Sequence, residues 1–411
     1  MDEMKDQKIK IAITGHVDHG KSTVIGRLLL DSGSLSEDRI EEIEKTAKEN
    51  NEKVNYAFLL DNLKEEREQG ITIDTTQAYL KKKDKEYVLI DSPGHAEFIT
   101  NMITGSAQAD AAILVLDAGE GVCEQTKRHA FILSMLGITQ LIVVINKMDT
   151  VTNKEAIYQK VKREVLEYLD SFMIDVVYTI PVSAINGENI VSRSSGLNFY
   201  KGPVLWEALE ALHIKREEKN NTAILPVQDV YDVKGQKIYV GRIEAGKVRS
   251  GCELFLPGTG RKLHVERIMK FQENREEYET GDSVGLLLEK SQMLKRGDIL
   301  CTPGEGILPV RHIRATILWL SKYQLGVGEK ITLHCLTQET DCAICQIYRK
   351  MNSSDLSIME DDKCQINELE VCDVEIGLES PLVVSSDLSV LRKIVLIKNK
   401  NICGNGLVIQ C

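Results

Sequence analysis

The chain has 411 residues, which at roughly 150 residues per domain predicts two or three domains. Its 43% hydrophobic and 27% charged residues are ordinary for a globular protein. Lysine and arginine number 51 against 62 aspartates and glutamates, and a net charge of −11 argues against a general nucleic-acid coat protein. No apolar run approaches the ~20 residues that cross a bilayer. The N-terminus has no apolar signal core, so we expect a cytoplasmic protein without membrane insertion.

The first half of the chain alternates apolar runs with amphipathic segments. The runs predict strands at 9–14, 87–91, 111–117, 141–145 and 176–181. The amphipathic segments predict helices at 22–31, 97–106, 124–136, 154–172 and 204–212. This alternation is typical of a parallel α/β sheet with helices on both faces, and we assign it to a first domain, 1–213.

The second half has a different pattern. A polar, aperiodic stretch at 214–222 is interpreted as a linker, and short alternating runs broken by glycine follow, as at 237–248, 262–271 and 282–289. Another break, at 302–306, divides this half. The pattern is typical of antiparallel β structure and predicts two β-barrel domains, 222–303 and 306–411.

The first predicted strand leads into a glycine-rich segment, GHVDHGKST (15–23), which fits the motif G-x-x-x-x-G-K-[ST]. Its backbone N–H groups can surround phosphate oxygens, Lys21 can contact the β- and γ-phosphates, and the Ser22 hydroxyl can bind Mg²⁺. The expected nucleotide contacts are Gly15, His16, Val17, Asp18, His19, Gly20, Lys21, Ser22 and Thr23.

Two further segments supply the catalytic residues of a phosphate-hydrolysing site. After the strand 87–91, Asp91 can hold Mg²⁺ through water, Gly94 can offer its N–H to the γ-phosphate, and His95 can orient the attacking water. Upstream, Thr72 is the candidate second hydroxyl ligand of Mg²⁺ and would reach it only when the γ-phosphate draws its loop inward.

The base-binding residues follow the next two strands. Asn146-Lys147-Met148-Asp149 places a carboxylate where it can accept hydrogen bonds from guanine N1–H and N2, which adenine does not offer. The Lys147 stem can cover the base, and Ser183-Ala184 can complete the pocket with a backbone N–H. Together the motifs predict an α/β P-loop GTPase domain that binds GTP and Mg²⁺, followed by two β-barrel domains.

Eight of the ten cysteines lie at or after Cys301. Cys342 and Cys345 form one C-x-x-C, and a zinc site would need two more ligands, such as Cys335 or Cys364. Since no second pair exists, the favoured interpretation is reduced thiols that serve as small apolar residues in strands.

GHVDHGKST, EREQGITID, DSPGH, NKMD and SA, in this order, resemble the translation-factor class of GTPases along the whole chain. The resemblance implies that Val17 and Ile71 flank His95 as an apolar gate and that Asp18 lies near the phosphates. Two branches of the class have this architecture. One is the GTPase subunit of heterodimeric bacterial sulfate adenylyltransferase, and the other is the elongation factors of the Tu/1-alpha type.

The segments 59–74, 124–149, 200–210 and 274–289 are similar to the sulfate branch, which we favour. It implies a small partner subunit that makes adenosine 5′-phosphosulfate from ATP and sulfate. The phosphate loop departs from that branch's GNVDDGKS pattern, and 101–110 and 225–233 are closer to elongation factors. In that alternative the partners are aminoacyl-tRNA and the ribosome. The few lysine clusters, such as 81–83, are typical of solvated surfaces and favour neither branch.

Overall fold

The computed structural model describes residues 7–35, 76–82, 85–91, 109–172, 174–213, 222–270, 275–290, 293–302, 307–353, 357–359, 363–385 and 388–411. The chain divides into two compact units, Met1–Lys215 and Arg216–Cys411. None of the helices in these described ranges is long and apolar enough to cross a membrane.

The N-terminal unit is built on a six-stranded sheet in the order β2-β3-β1-β4-β5-β6. Its strands are β1 (Gln7–Gly15), β2 (Thr76–Lys82), β3 (Lys85–Asp91), β4 (Ala111–Asp117), β5 (Gln140–Asn146) and β6 (Asp175–Pro181). Five strands are parallel, whereas β2 pairs antiparallel with β3. The five predicted strands are the parallel ones, and β2 is an additional edge strand that the apolar pattern did not indicate. Only Ala78 and Leu80 of β2 are buried apolar residues, so this charged edge strand lacks the apolar run that marks its neighbours.

Helices connect the parallel strands. They are α1 (Lys21–Asp31), α2 (Glu124–Met135), α3 (Lys154–Leu169) and α4 (Leu205–Ala208), the last followed by a 3₁₀ turn at Leu209–Ala211. Every residue of β4 and β5 is buried, and the main core includes the β1 side chains Ile9, Ile11 and Ile13 packed with Val24 and Leu28 of α1. The helix predicted at 97–106 lies outside the described residues. The sheet brings the carboxyl ends of β1, β3, β4, β5 and β6 to one edge, where ligand sites of such sheets form.

The C-terminal unit begins with an antiparallel sheet in the order β7-β15-β11-β12-β14-β9-β8, accompanied by the pair β10-β13. The strands are β7 (Ile224–Pro226), β8 (Asp229–Val233), β9 (Gln236–Arg242), β10 (Lys247–Arg249), β11 (Glu253–Leu256), β12 (Arg261–Met269), β13 (Glu277–Glu279), β14 (Ser283–Leu288) and β15 (Ile299–Cys301). Alternate side chains of these strands, Tyr239 and Leu286 among them, form one core.

The remaining strands comprise a closed six-stranded barrel, a short strand that pairs beside it and a separate two-stranded pair, β17-β21. They are β16 (Pro309–Trp319), β17 (Leu325–Gly326), β18 (Lys330–Cys335), β19 (Gln338–Asn352), β20 (Ile358–Met359), β21 (Gln365–Ile366), β22 (Glu370–Val383), β23 (Lys393–Lys398) and β24 (Asn401–Gln410), with α5 at Ser389–Arg392. The order β18-β23-β24-β16-β22-β19 closes because β18 also pairs with β19. Closure leaves these six strands without an open edge.

The cysteines are part of this packing. Cys335, Cys342, Cys372 and Cys403 have free thiols that lie in the core of the closed barrel. Burial raises the pKa of the Cys335, Cys342 and Cys372 thiols to about 12. Within the described ranges no three His, Cys, Asp or Glu side chains come together as a metal site. These four thiols therefore serve as small apolar residues.

Candidate nucleotide-binding site

The phosphate loop (residues 15–22) connects β1 to α1 and depends on glycine at two points. Gly15 has φ 146°, and a Cβ there would lie 2.2 Å from the Val115 carbonyl oxygen of the adjacent strand. Gly20 has φ 82°, and its Cβ would lie 2.6 Å from Asn146 Nδ2. Asp18 also has a left-handed φ, of 63°. Glycine is required at positions 15 and 20 because any side chain there would collide with a neighbouring strand or loop.

Lys21 is a buried cation at the centre of the phosphate loop. Its side chain donates a 2.9 Å hydrogen bond to the His16 carbonyl, and the residue is 7% exposed. Burial lowers its pKa to about 8, although the nearby Asp91 and Asp18 carboxylates favour the charged form. An anion bound in the loop would offset the cost of burying this ammonium group, and phosphate is the ligand that such loops of backbone N–H groups accommodate.

Ser22 and Asp91 meet beside the phosphate loop. The Ser22 hydroxyl donates to Asp91 Oδ2 at 2.9 Å, and Asp91, the last residue of β3, is 1% exposed. The pair therefore brings a hydroxyl and a carboxylate together at the carboxyl edge of the sheet. Both are hard oxygen donors of the type that Mg²⁺ prefers.

Asn146 joins three loops at the same edge. Its Nδ2 donates to the His19 carbonyl at 2.9 Å, and its Oδ1 accepts the Ala184 N–H at 3.0 Å. Of the two backbone N–H groups of Ser183-Ala184, one of which was expected to contact the base, that of Ala184 is bonded to Asn146 and that of Ser183 donates to the Glu188 carbonyl. Asp149 accepts a 2.5 Å hydrogen bond from the Ser183 hydroxyl. The residues predicted to bind phosphate and base are therefore linked directly through one buried amide.

Lys147 has a partner that no motif indicated. It has φ 60°, and its ammonium group lies 2.8 Å from Asp117 Oδ2, while Asp117 Oδ1 accepts the Gly119 N–H at 2.7 Å. Burial alone would raise the pKa of Asp117, but the hydrogen bonds from Lys147 and from the Gly119 N–H outweigh it and hold the pKa below its usual value. The available signal was the position of Asp117 at the end of the apolar run 111–117, at the same sheet edge as Asn146.

The other predicted residues divide into two groups. His16 and Val17 are partly buried, Asp18 is exposed and Thr23 lies in the first turn of α1, all within the phosphate loop or directly after it. Ile71, Thr72, Gly94 and His95 lie outside the described residues, so the water-orienting and switch roles remain predictions.

Comparisons with known proteins agree with this geometry. The family model of the elongation factor Tu GTP binding domain matches residues 6–228, and the GTP-eEF1A C-terminal domain-like model matches residues 312–409. Elongation factor 1-alpha of Methanopyrus kandleri is 36% identical, covering 92% of this chain and 91% of that protein. Elongation factor 1-alpha of Methanocaldococcus jannaschii is 34% identical, covering 92% and 91%. Sulfate adenylyltransferase subunit 1 of Salmonella paratyphi A is 32% identical, covering 92% and 79%.

The phosphate loop, the base loops and the β-rich second half define a translation-factor-class GTPase. The chain belongs to the elongation factor Tu/1-alpha family of GTPases.

Proposed function

We propose that this chain is the GTP-hydrolysing subunit of a sulfate adenylyltransferase. GTP hydrolysis here would be coupled to the formation of adenosine 5′-phosphosulfate from ATP and sulfate by a small partner subunit. The observation that carries the proposal is similarity to sulfate adenylyltransferase subunit 1 over 92% of the chain, at 32% identity. The segments 59–74 and 124–149 add to it, because they are similar to that branch.

In this proposal the described residues bind GTP and position its phosphates and its base. Lys21 and the backbone N–H groups of the phosphate loop would hold the phosphates, since the buried ammonium group donates its hydrogen bond to a carbonyl of the same loop. Asp149, supported by Ser183, would select guanine. Ser22 and Asp91 fit Mg²⁺, which when bound would neutralise charge on the phosphate oxygens. Thr72 and His95 are the proposed second hydroxyl ligand and the water-orienting residue.

Delivery of aminoacyl-tRNA to the ribosome is the second candidate function. It is favoured by the 36% identity to elongation factor 1-alpha over 92% of this chain and by the match of residues 312–409 to the eEF1A-type C-terminal domain. Both candidates use the same nucleotide site. They differ in the partner that accelerates hydrolysis, so the partner is what an experiment must identify.

The test combines the purified chain with a sulfate adenylyltransferase small subunit. GTP hydrolysis is measured with and without ATP plus sulfate, and in parallel with aminoacyl-tRNA and ribosomes. Stimulation that requires both ATP and sulfate supports the proposal. The proposal is overturned in favour of the elongation-factor function if ribosomes stimulate hydrolysis, the chain protects the ester bond of aminoacyl-tRNA from hydrolysis, and sulfate has no effect.

A variant of the base loop tests whether the measured GTP hydrolysis comes from this chain. Asp149→Asn should remove stimulated GTP hydrolysis and transfer it to xanthosine triphosphate, because an amide can donate to the xanthine oxygen where the carboxylate accepts from guanine. Sulfate-dependent hydrolysis of GTP that persists in the variant would mean that a contaminating GTPase is measured.

A further inference from the structure

His19 lies inside the phosphate loop with both ring nitrogens engaged. The side chain is fully buried, Nδ1 is 3.1 Å from the Val115 carbonyl oxygen, and Nε2 is 3.1 Å from Glu120 Oε2. A carbonyl oxygen and an ionised carboxylate only accept hydrogen bonds. A ring N–H therefore donates to at least one of these oxygens, and the two contacts hold the buried ring between β4 and Glu120.

The backbone at His19 is held from the opposite direction. Its carbonyl accepts the Asn146 Nδ2 hydrogen bond, and its neighbours Asp18 and Gly20 both have left-handed φ values, of 63° and 82°. Left-handed backbone at a non-glycine residue such as Asp18 is uncommon, so contacts around the loop must hold the direction of its peptide groups. The ring and the carbonyl together fix that direction, and the N–H groups of this loop are the ones that would face phosphate.

We propose that the contact between the His19 ring and the Glu120 carboxylate is a positioning device that holds the phosphate loop in its nucleotide-binding form and so sets how long a nucleotide stays bound. His19 and Glu120 act through the loop backbone and need not touch the nucleotide. The proposal rests on nucleotide binding at the phosphate loop, and it does not depend on which partner stimulates hydrolysis.

The charges around the ring explain why geometry is the main effect. The His16 ring packs edge-on against His19 with centroids 5.2 Å apart, and Lys21 and Asp18 belong to the same loop. The Glu120 side chain is 54% exposed, and its role lies in holding the buried ring rather than in a strong isolated Coulomb energy.

Replacing each side chain, and then both, tests the contact. His19→Asp alone places two carboxylates together, and Glu120→Lys alone removes the carboxylate that faces the ring, so each should raise the dissociation rate of a fluorescent GDP analogue about tenfold or more. The double variant pairs an aspartate with a lysine at these positions and should return to within about threefold of the wild-type rate. Aspartate at position 19 is compatible with a phosphate loop, since the GNVDDGKS pattern has it there.

Glu124→Lys is the matched control. It makes the same charge change at the start of α2, where the side chain is 70% exposed, and should leave the rate within about twofold of wild type. Thermal unfolding of every variant verifies that the chain is folded. Single variants with wild-type rates, or a double variant at least as fast as the faster single variant, would overturn the proposal.

The release measurement needs no sulfate or ribosome, so its failure is separate from failure of the proposed function.

Discussion

Removing the Asn146 amide tests whether the phosphate and base loops are held together by one side chain. Asn146→Ala deletes the donor to the His19 carbonyl at 2.9 Å and the acceptor of the Ala184 N–H at 3.0 Å. Asn146 is 2% exposed, so both partner groups lose a bond that water does not readily replace while a nucleotide covers the loops.

The magnitude follows from these two bonds. Each buried group left without a partner costs about 1–3 kcal/mol, and partial relaxation of the loops reduces the sum. A net cost of about 2–3 kcal/mol in the nucleotide-bound state corresponds to a loss of affinity of roughly 30- to 150-fold. The cost should be equal for guanine and xanthine nucleotides, because the two lost bonds join protein groups to each other.

The assay is equilibrium binding of fluorescent GDP and of its xanthine counterpart to wild type, Asn146→Ala and Asp149→Asn. Asp149→Asn is the contrasting variant, since it should weaken GDP binding and strengthen binding of the xanthine nucleotide. Wild-type GDP affinity in Asn146→Ala, or a change of base preference in that variant, would refute the inference that Asn146 mainly joins the loops.

Three further predictions concern other contacts. Asp117→Asn removes the charged partner of Lys147. Because the Lys147 side chain is 34% exposed and solvent screens the pair, GDP release should accelerate only about two- to fivefold, and an unchanged rate would contradict this. Lys350→Met leaves Glu370 buried without its 2.9 Å ion-pair partner and should lower the free energy of unfolding, measured by urea titration, by about 3–5 kcal/mol. Replacing both residues with apolar ones should lower it by less, and equal losses in the single and double variants would argue against a buried charge. A thiol reagent should modify the native protein first at the exposed Cys345, Cys364 and Cys411. Burial raises the pKa of Cys335 to about 12, so a fast reaction of Cys335 in the native protein would contradict the packing of the barrel core.

The sequence alone was sufficient wherever a function depends on contiguous residues. GHVDHGKS specifies a strand, a glycine turn and a helix start, because the glycines, the lysine and the serine act within one short segment, and β1 and α1 lie at these positions. The same holds for NKMD after β5, since an apolar run of buried residues ends where the polar motif begins. The membership in the GTPase class could be predicted for this reason.

Other features depended on the tertiary structure. The antiparallel strand β2 was missed because an edge strand needs few apolar residues, and its pairing with β3 is a property of the sheet rather than of the segment. The partners of His19 and Lys147 were missed for a related reason. Glu120 is 101 residues from His19 along the chain, and only the parallel register of β1 and β4 brings the two together.

Composition and motif spacing thus determine which loops can bind phosphate and guanine. The sheet decides which charged side chains stand beside them, since carboxyl ends of parallel strands meet at one edge whatever their separation in sequence. A local motif carries its own backbone conformation, whereas the contact of His19 with Glu120 and the ion pair of Lys147 with Asp117 exist only after strands distant in sequence have paired.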